Sequence, residues 1–256
     1  MIIAANWKMN LDTDGANNLL QNYITAFATE PYLGHEMIVI GSTISLQSLV
    51  DLTADSKLQV YAQDVSKFPG FGSYTGETSA EQLKSIGVKG VLIGHMERRT
   101  LLKEAEADIN FKIKNALNAG LKVILSVGET TVGLDETQQQ KLIQSQLEND
   151  LEELTTHQIQ DNLLIAYETV ATVSSFGNLA VGAQLPVQNI CNKAMGIKKF
   201  LTVKYPEINI PIIYGGSVAA ENIGQFATNH DFNFAGFLVG KKSLNIEEFK
   251  ALIAAI

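Results

Sequence analysis

The chain has 256 residues, 46% of them hydrophobic and 18% charged, with a formal net charge of −8 and a single cysteine, Cys191. That length and apolar content suit one large core, and an α/β barrel of this size forms one domain, expected here over residues 1–256. An acidic balance without a basic run excludes a nucleic-acid surface, no apolar run reaches the ~18 residues of a membrane span, and a lone cysteine excludes an internal disulfide.

Met1-Ile2-Ile3-Ala4-Ala5 is a short apolar run with no basic leader, so a secretory signal is not expected and the cytoplasm is the expected compartment. Apolar or β-branched runs then recur at Ile2 to Ala5, Met37 to Ile40, Leu58 to Ala62, Gly90 to Ile93, Val123 to Val127, Leu163 to Tyr167, Ile212 to Tyr214 and Gly236 to Val239. Each reads as a buried strand. Helical spacing occupies the intervals, as at Ala16 to Ala28, Ala80 to Ile86, Leu101 to Ala119, Thr137 to Leu154, Val187 to Val203, Ala220 to Ala227 and Glu247 to Ile256. Cys191 falls in one of these helical stretches and reads as packing. Continuous strand and helix alternation predicts a parallel sheet with helical crossovers. Eight units match a (β/α)8 barrel, although a doubly wound open sheet with extra strands would give a similar string.

In a barrel the chemistry belongs at the carboxyl ends of the strands. Those positions hold Asn6 and Lys8 after the first run, Gly94-His95-Met96-Glu97 after the fourth, Gly128-Glu129 after the fifth, Glu168 after the sixth, Gly215-Gly216-Ser217 after the seventh and Gly240-Lys241 after the eighth. A carboxylate, an imidazole, an ammonium and two glycine-rich turns are what proton transfer beside a phosphorylated carbonyl requires. Glu168 suits a general base, with burial expected to raise its pKa toward working pH. His95, where a helix could begin, could donate a hydrogen bond to a carbonyl as a neutral imidazole. Lys8 could reach inward to stabilise an enolate oxygen or a phosphate, and Glu97 is a natural ion-pair partner for a cation there. Ser217 and Gly240 precede expected helix starts, where backbone N–H groups suit phosphate without a metal. The histidines and the cysteine show no ligand spacing, and no dinucleotide or P-loop motif occurs, so neither metal nor cofactor is expected.

The motifs Ala5-Asn6-Trp7-Lys8-Met9-Asn10, Ile93-Gly94-His95 with Glu97-Arg98-Arg99, Ala166-Tyr167-Glu168, Tyr214-Gly215-Gly216-Ser217-Val218 and Gly236-Phe237-Leu238-Val239-Gly240 stand in the order of one family. Over essentially its whole length the chain resembles the triosephosphate isomerases, themselves the standard case of a glutamate base paired with a neutral histidine. The resemblance implies a TIM barrel that interconverts an aldose phosphate and a ketose phosphate through an enediol, without a cofactor. It implies Glu168 as base, His95 as electrophile, Lys8 and Asn6 on the substrate and enediolate, and Ser217 and Gly240 on the phosphate, with Ser174 of the lid and Lys241 also at the substrate. The family is usually a homodimer, and Phe71-Gly72-Ser73-Tyr74-Thr75-Gly76-Glu77 looks like the loop that enters the neighbouring subunit, with Thr75 near its tip.

The departures cluster on the lid and the phosphate loop. Where the family commonly has Pro-Val-Trp after the base, this chain has Thr169-Val170-Ala171, and the usual Gly-Thr-Gly tip is Ser174-Ser175-Phe176. The far hinge falls at Gly177-Asn178-Leu179, Lys241 stands at a usual glycine, Met96 at a usual serine and Ser126 at a usual cysteine. These changes leave open an isomerase of a longer phosphosugar, such as a tetrulose phosphate, and a weakly active paralogue that acts as a binding protein.

Overall fold

The structure is a computed structural model and describes residues 1–28, 32–169 and 185–256. Parallel strands β1 (Ile2–Asn6), β2 (Glu36–Gly41), β3 (Gln59–Ala62), β4 (Gly90–Ile93), β5 (Lys122–Glu129), β6 (Leu163–Thr169), β7 (Ile212–Tyr214) and β8 (Gly236–Val239) form a closed barrel in chain order. Closure comes from β1 pairing with β8, Ile2 opposite Gly236 through Ala5 opposite Val239. All eight strands lie where the apolar runs place them.

Two runs extend two residues past their expected carboxyl ends. β5 continues through Gly128 and Glu129, and β6 continues through Glu168 and Thr169, because those residues pair with one another across the ladder. Glu168 is therefore the penultimate residue of β6 rather than the first residue after it.

Helices fill the intervals: α1 (Thr13–Phe27), α2 (Leu46–Leu52), α3 (Ala80–Ser85), α4 (Met96–Thr100), α5 (Glu106–Asn118), α6 (Glu136–Asp150), α7 (Thr156–Ile159), α8 (Val187–Lys204), α9 (Ile223–Ala227) and α10 (Ile246–Ala254). α1 starts earlier than its apolar spacing predicts because the Asp12 side chain caps it, accepting the Gly15 N–H at 2.8 Å. The helix expected from Leu101 to Ala119 starts late: α4 ends at Thr100, Lys103 takes a left-handed φ of 55°, and α5 begins only at Glu106. Arg98 draws the chain back there through an ion pair to Glu104 at 3.1 Å, and Glu106 and Asp108 favour a fresh helix N-terminus.

Period-two side-chain alternation divides the core into two layers. Inside the barrel pack Ala4, Ile38, Ile40, Tyr61, Leu92, Ile124, Leu164, Ala166, Ile213 and Leu238. The alternate strand residues, such as Ile3, Val39, Val60, Val91, Leu125, Ile165 and Phe237, face the helices. Filling both layers leaves only the ends of the strands for polar chemistry.

Candidate active site

At the carboxyl ends of the strands lies a cavity of about 510 Å³, bordered by Asn6, Lys8, His95 and Glu168 on one side and by Gly215 to Ser217 and Gly240 to Lys242 on the other. Asn6 closes β1, His95 is the N-cap of α4, and the two glycine turns follow β7 and β8. The barrel thus assembles groups that are far apart in sequence.

Glu168 enters the cavity by strand alternation, since Leu164 and Ala166 of the same strand face inward. Two glycines make room for it. A Cβ on Gly128 would overlap the Glu168 carbonyl, and a Cβ on Gly215 would stand 2.7 Å from Glu168 Cγ. The carboxylate is 3% exposed, with Oε1 3.2 Å from His95 Nε2 and Oε2 accepting the Met96 N–H at 3.4 Å. His95 Nδ1 in turn accepts the Glu97 N–H at 3.2 Å, which leaves Nε2 as the nitrogen that carries the proton. The start of α4 therefore fixes the tautomer that can donate toward a substrate.

Burial was expected to raise the Glu168 pKa, and the geometry reverses that sign. Burial does push it up, but the neighbouring His95, together with Lys8 and the Met96 N–H, brings it below the ordinary value of 4.5. The carboxylate is held ionised, ready to accept a proton.

Lys8 sits at φ 51°, a left-handed conformation that costs a non-glycine residue about 1–2 kcal/mol. Three contacts hold it there. Its N–H donates to Asn6 Oδ1 at 3.1 Å, its carbonyl accepts from Gln63 Nε2 at 2.8 Å, and its ammonium pairs with Glu97 Oε1 at 2.6 Å. Backbone strain at a cavity-lining residue is characteristic of functional positions. Asn6 thus acts partly by shaping the Lys8 turn.

On the opposite wall, the helix expected from Ala220 after Ser217 starts later: residues 217–219 form no regular element, residues 220–222 form a turn, and α9 starts at Ile223. Asn222 organises the turn, donating to the Ser217 carbonyl at 3.2 Å and accepting the Ala219 N–H at 2.8 Å. Gly240 does precede a helical turn, the 3-10 segment Lys241–Leu244, and its carbonyl accepts both the N–H and the hydroxyl of Ser243 at 2.8 and 2.7 Å. Lys242 pairs with Glu248 at 2.8 Å. Lys241, exposed at the cavity wall, makes no hydrogen bond or ion pair among the described residues. The acidic chain thus presents Lys8, Lys241 and Lys242 at this site.

Not every expected residue meets here. Thr75 lies outside the cavity, in an exposed segment from Phe71 to Glu77 whose base is closed by the Ser66 N–H to the Thr78 carbonyl at 2.9 Å. Phe68 and Tyr74 stack within that loop, with centroids 4.0 Å apart. Ser174 and the lid from Val170 to Leu179 lie outside the described residues, as do Ser175 and Phe176. No cluster of potential metal ligands occurs among the described residues.

Other residues support the site, Gln146 and Gln63 among them unread in the sequence. Gln146 of α6 bridges both polar groups of Gly128, accepting its N–H at 2.8 Å and donating to its carbonyl at 3.0 Å. Arg99 is buried and donates to the Gly94 and Ser126 carbonyls at 2.7 and 2.9 Å, tying the His95 turn to β5. Tyr167 donates its hydroxyl to Glu129, 3.1 Å from either oxygen, on the outer side of β6. A signal existed for Gln146, since it shares a buried helix face with Ile143, Leu147 and Asp150. Gln63 follows β3 at the same carboxyl end as the recognised residues.

The model of the triosephosphate isomerase family matches residues 1–256. Triosephosphate isomerase of Natranaerobius thermophilus is 32% identical over 252 residues, covering 98% of this chain and 94% of the relative. That of Acinetobacter baumannii is 34% identical over 259 residues, covering 99% and 95%. A crystal structure of triosephosphate isomerase from Bartonella henselae superposes with a TM-score of 0.83 at 26% identity, covering 99% of this chain and 98% of that one. Matched end to end in sequence, closed barrel included, the chain belongs to the triosephosphate isomerase family.

Proposed function

We propose that the protein interconverts D-glyceraldehyde 3-phosphate and dihydroxyacetone phosphate through an enediolate, using only its own side chains. The observation that carries the reading is the Glu168–His95 pair at 3.2 Å, a carboxylate facing an imidazole whose Nδ1 is occupied by a backbone donor. A substrate carbonyl entering between them takes over the Nε2–H as its hydrogen-bond donor. Glu168, released from that contact, removes the proton from the adjacent carbon and returns it to the neighbouring one. Each oxygen of the enediolate exchanges its proton with His95, while the Lys8 ammonium offsets the negative charge. Asn6 supports Lys8, and Glu97 orients its ammonium.

The phosphate belongs at the opposite wall. Ser217 and Gly240 offer backbone N–H groups, Lys241 adds an uncommitted ammonium, and Ser174 of the lid is expected to complete the enclosure. The site works as a homodimer in this reading, with Thr75 carried into the neighbouring subunit. Support comes from large apolar side chains exposed in that loop and beside Lys8: Phe71 at 77% and Met9 at 95%. Apolar exposure of that size favours a covered face.

The test is isomerisation of glyceraldehyde 3-phosphate beside tetrose and tetrulose phosphates, with wild type and Glu168→Gln. The triose phosphate is expected to give the highest kcat/KM, and the variant to lose about 10²- to 10⁴-fold in kcat, the usual worth of a positioned base. A tetrulose phosphate ahead by tenfold, or a folded protein inactive on all of them, overturns the reading.

A further inference from the structure

Gln146 and Asp150 stand one turn apart on the buried face of α6. Gln146 grips Gly128, which lies against the Glu168 backbone. Asp150 reaches toward His95 instead. Its Oδ2 accepts from Arg99 Nη2 at 2.6 Å; the same nitrogen donates to the Ser126 carbonyl at 2.9 Å, and Arg99 Nε donates to the Gly94 carbonyl at 2.7 Å. Gly94 precedes His95 and is seated on the guanidinium: its φ is 70°, and a Cβ there would stand 2.6 Å from Arg99 Nη2. Glu106 also pairs with Arg99, through Nη1, but its side chain is 37% exposed where that of Asp150 is 0%. The other oxygen of Asp150, Oδ1, is buried with no hydrogen-bond donor among the described residues. A carboxyl group half satisfied in the core detracts from stability, so what Asp150 contributes is the placement of Arg99. Asn110 of α5 fixes the helix end that carries it, donating to the Asp150 and Glu152 carbonyls at 2.9 and 3.0 Å.

We propose that Asp150 is a positioning residue for the isomerisation: through Arg99 it sets the Gly94–His95 peptide, and with it the direction in which His95 Nε2 meets the substrate carbonyl. The inference rests on the proposed role of His95 as electrophile. Arg99 transmits the position because its guanidinium is a rigid fork, with each nitrogen committed to a different partner. One helix thereby holds both members of the reacting pair, the base through Gln146 and Gly128 and the electrophile through Asp150 and Arg99.

The test compares Asp150→Leu, which removes the acceptor, with Asp150→Asn, which keeps an oxygen for Arg99, both in the full-length protein. Nitrogen NMR follows the His95 ring, assigned with His95→Gln, and kcat and KM for glyceraldehyde 3-phosphate are referred to folded protein. Asp150→Leu is expected to move the His95 ring nitrogens and the Glu97 amide while the Ser217 and Gly240 amides stay in place. Its kcat is expected to fall about 10- to 100-fold with KM within about threefold, as a shift of up to ~1 Å at a reacting group does. Asp150→Asn is expected to show smaller shifts of the same kind and a kcat within about fivefold of wild type, the worth of a weakened hydrogen bond. If Asp150→Leu does not fold, Arg99→Lys is expected to give the same shifts, since one ammonium cannot span both carbonyls and Asp150. The spectra need no substrate, so a wild type inactive on the triose phosphate defeats the proposed function while His95 still decides the role of Asp150. Unmoved His95 nitrogens in folded Asp150→Leu or Arg99→Lys protein, or a raised KM at full kcat, overturns the proposal.

Discussion

Gln146 offers the sharpest way to perturb Glu168, the proposed base, without touching it. Its carboxamide satisfies both the N–H and the carbonyl of Gly128, at 2.8 and 3.0 Å, and Gly128 lies against the Glu168 backbone so closely that no side chain fits between. Gln146→Met preserves most of the volume and removes both hydrogen bonds. Gln146 is 2% exposed, so water does not replace them, and each orphaned backbone group costs about 1–3 kcal/mol. The sum, about 4 kcal/mol, lowers Tm by roughly 8–16 °C at the ~2–4 °C per kcal/mol typical of a chain this size. The same loosening lets the end of β6 shift, and a displacement near 1 Å at the reacting group costs about 10²-fold. Thermal unfolding by circular dichroism and the steady-state kcat measure the two effects. A variant within 2 °C of wild type with full kcat would refute the claim that Gln146 supports Glu168 through Gly128.

Lys241→Gly is expected to raise KM for the phosphorylated substrate about 3- to 30-fold with kcat nearly unchanged, and to flatten the salt dependence of KM, as the loss of one partly solvated cation should. A fall in kcat at constant KM would count against a phosphate role. Glu168 has a folded-state pKa below the ordinary 4.5, so its ionised form contributes stability that is complete above that value and is lost as pH falls through the lower folded value. A carbon NMR titration, assigned with Glu168→Gln, is expected to show an inflection below 4.5 that moves up in His95→Gln; an inflection above 4.5 in wild type is the contrary result. Phe71→Asp, at a side chain 77% exposed in the isolated chain, is expected to shift sedimentation from dimer toward monomer and to lower kcat, whereas a monomeric wild type removes the basis for Thr75 acting in a neighbour's site.

The strands were legible because each is buried on both sides, so a short apolar run carries the whole signal. Glu168, His95 and Lys8 were legible for a related reason: a polar residue ending such a run has nowhere to go but the rim. What the one-dimensional pattern does not hold is pairing between distant segments. The extension of β6 through Glu168 depends on β5, whose Gly128 and Glu129 pair opposite Glu168 and Thr169. The break between α4 and α5 depends on Arg98 and Arg99 turning away from the helix, toward Glu104 and toward the carbonyls of Gly94 and Ser126. Helical spacing alone counts those arginines as helix surface.

The sign of the Glu168 pKa shows the same limit most sharply. Sequence supplies the burial, which raises the pKa, whereas the opposing donors come from His95, Met96 and Lys8 on other strands and loops. A buried carboxylate without those donors would sit protonated and could not serve as a base at neutral pH. With them it is ionised but engaged, by Nε2 at 3.2 Å and the Met96 N–H at 3.4 Å. The Met96 hydrogen bond is long beside the ~2.7–2.9 Å typical of a charge-assisted one, and the His95 nitrogen stands at 3.2 Å, so neither holds the carboxylate tightly. The barrel therefore holds the Glu168 carboxylate ionised and only loosely engaged, which is the state that the proposed proton abstraction needs.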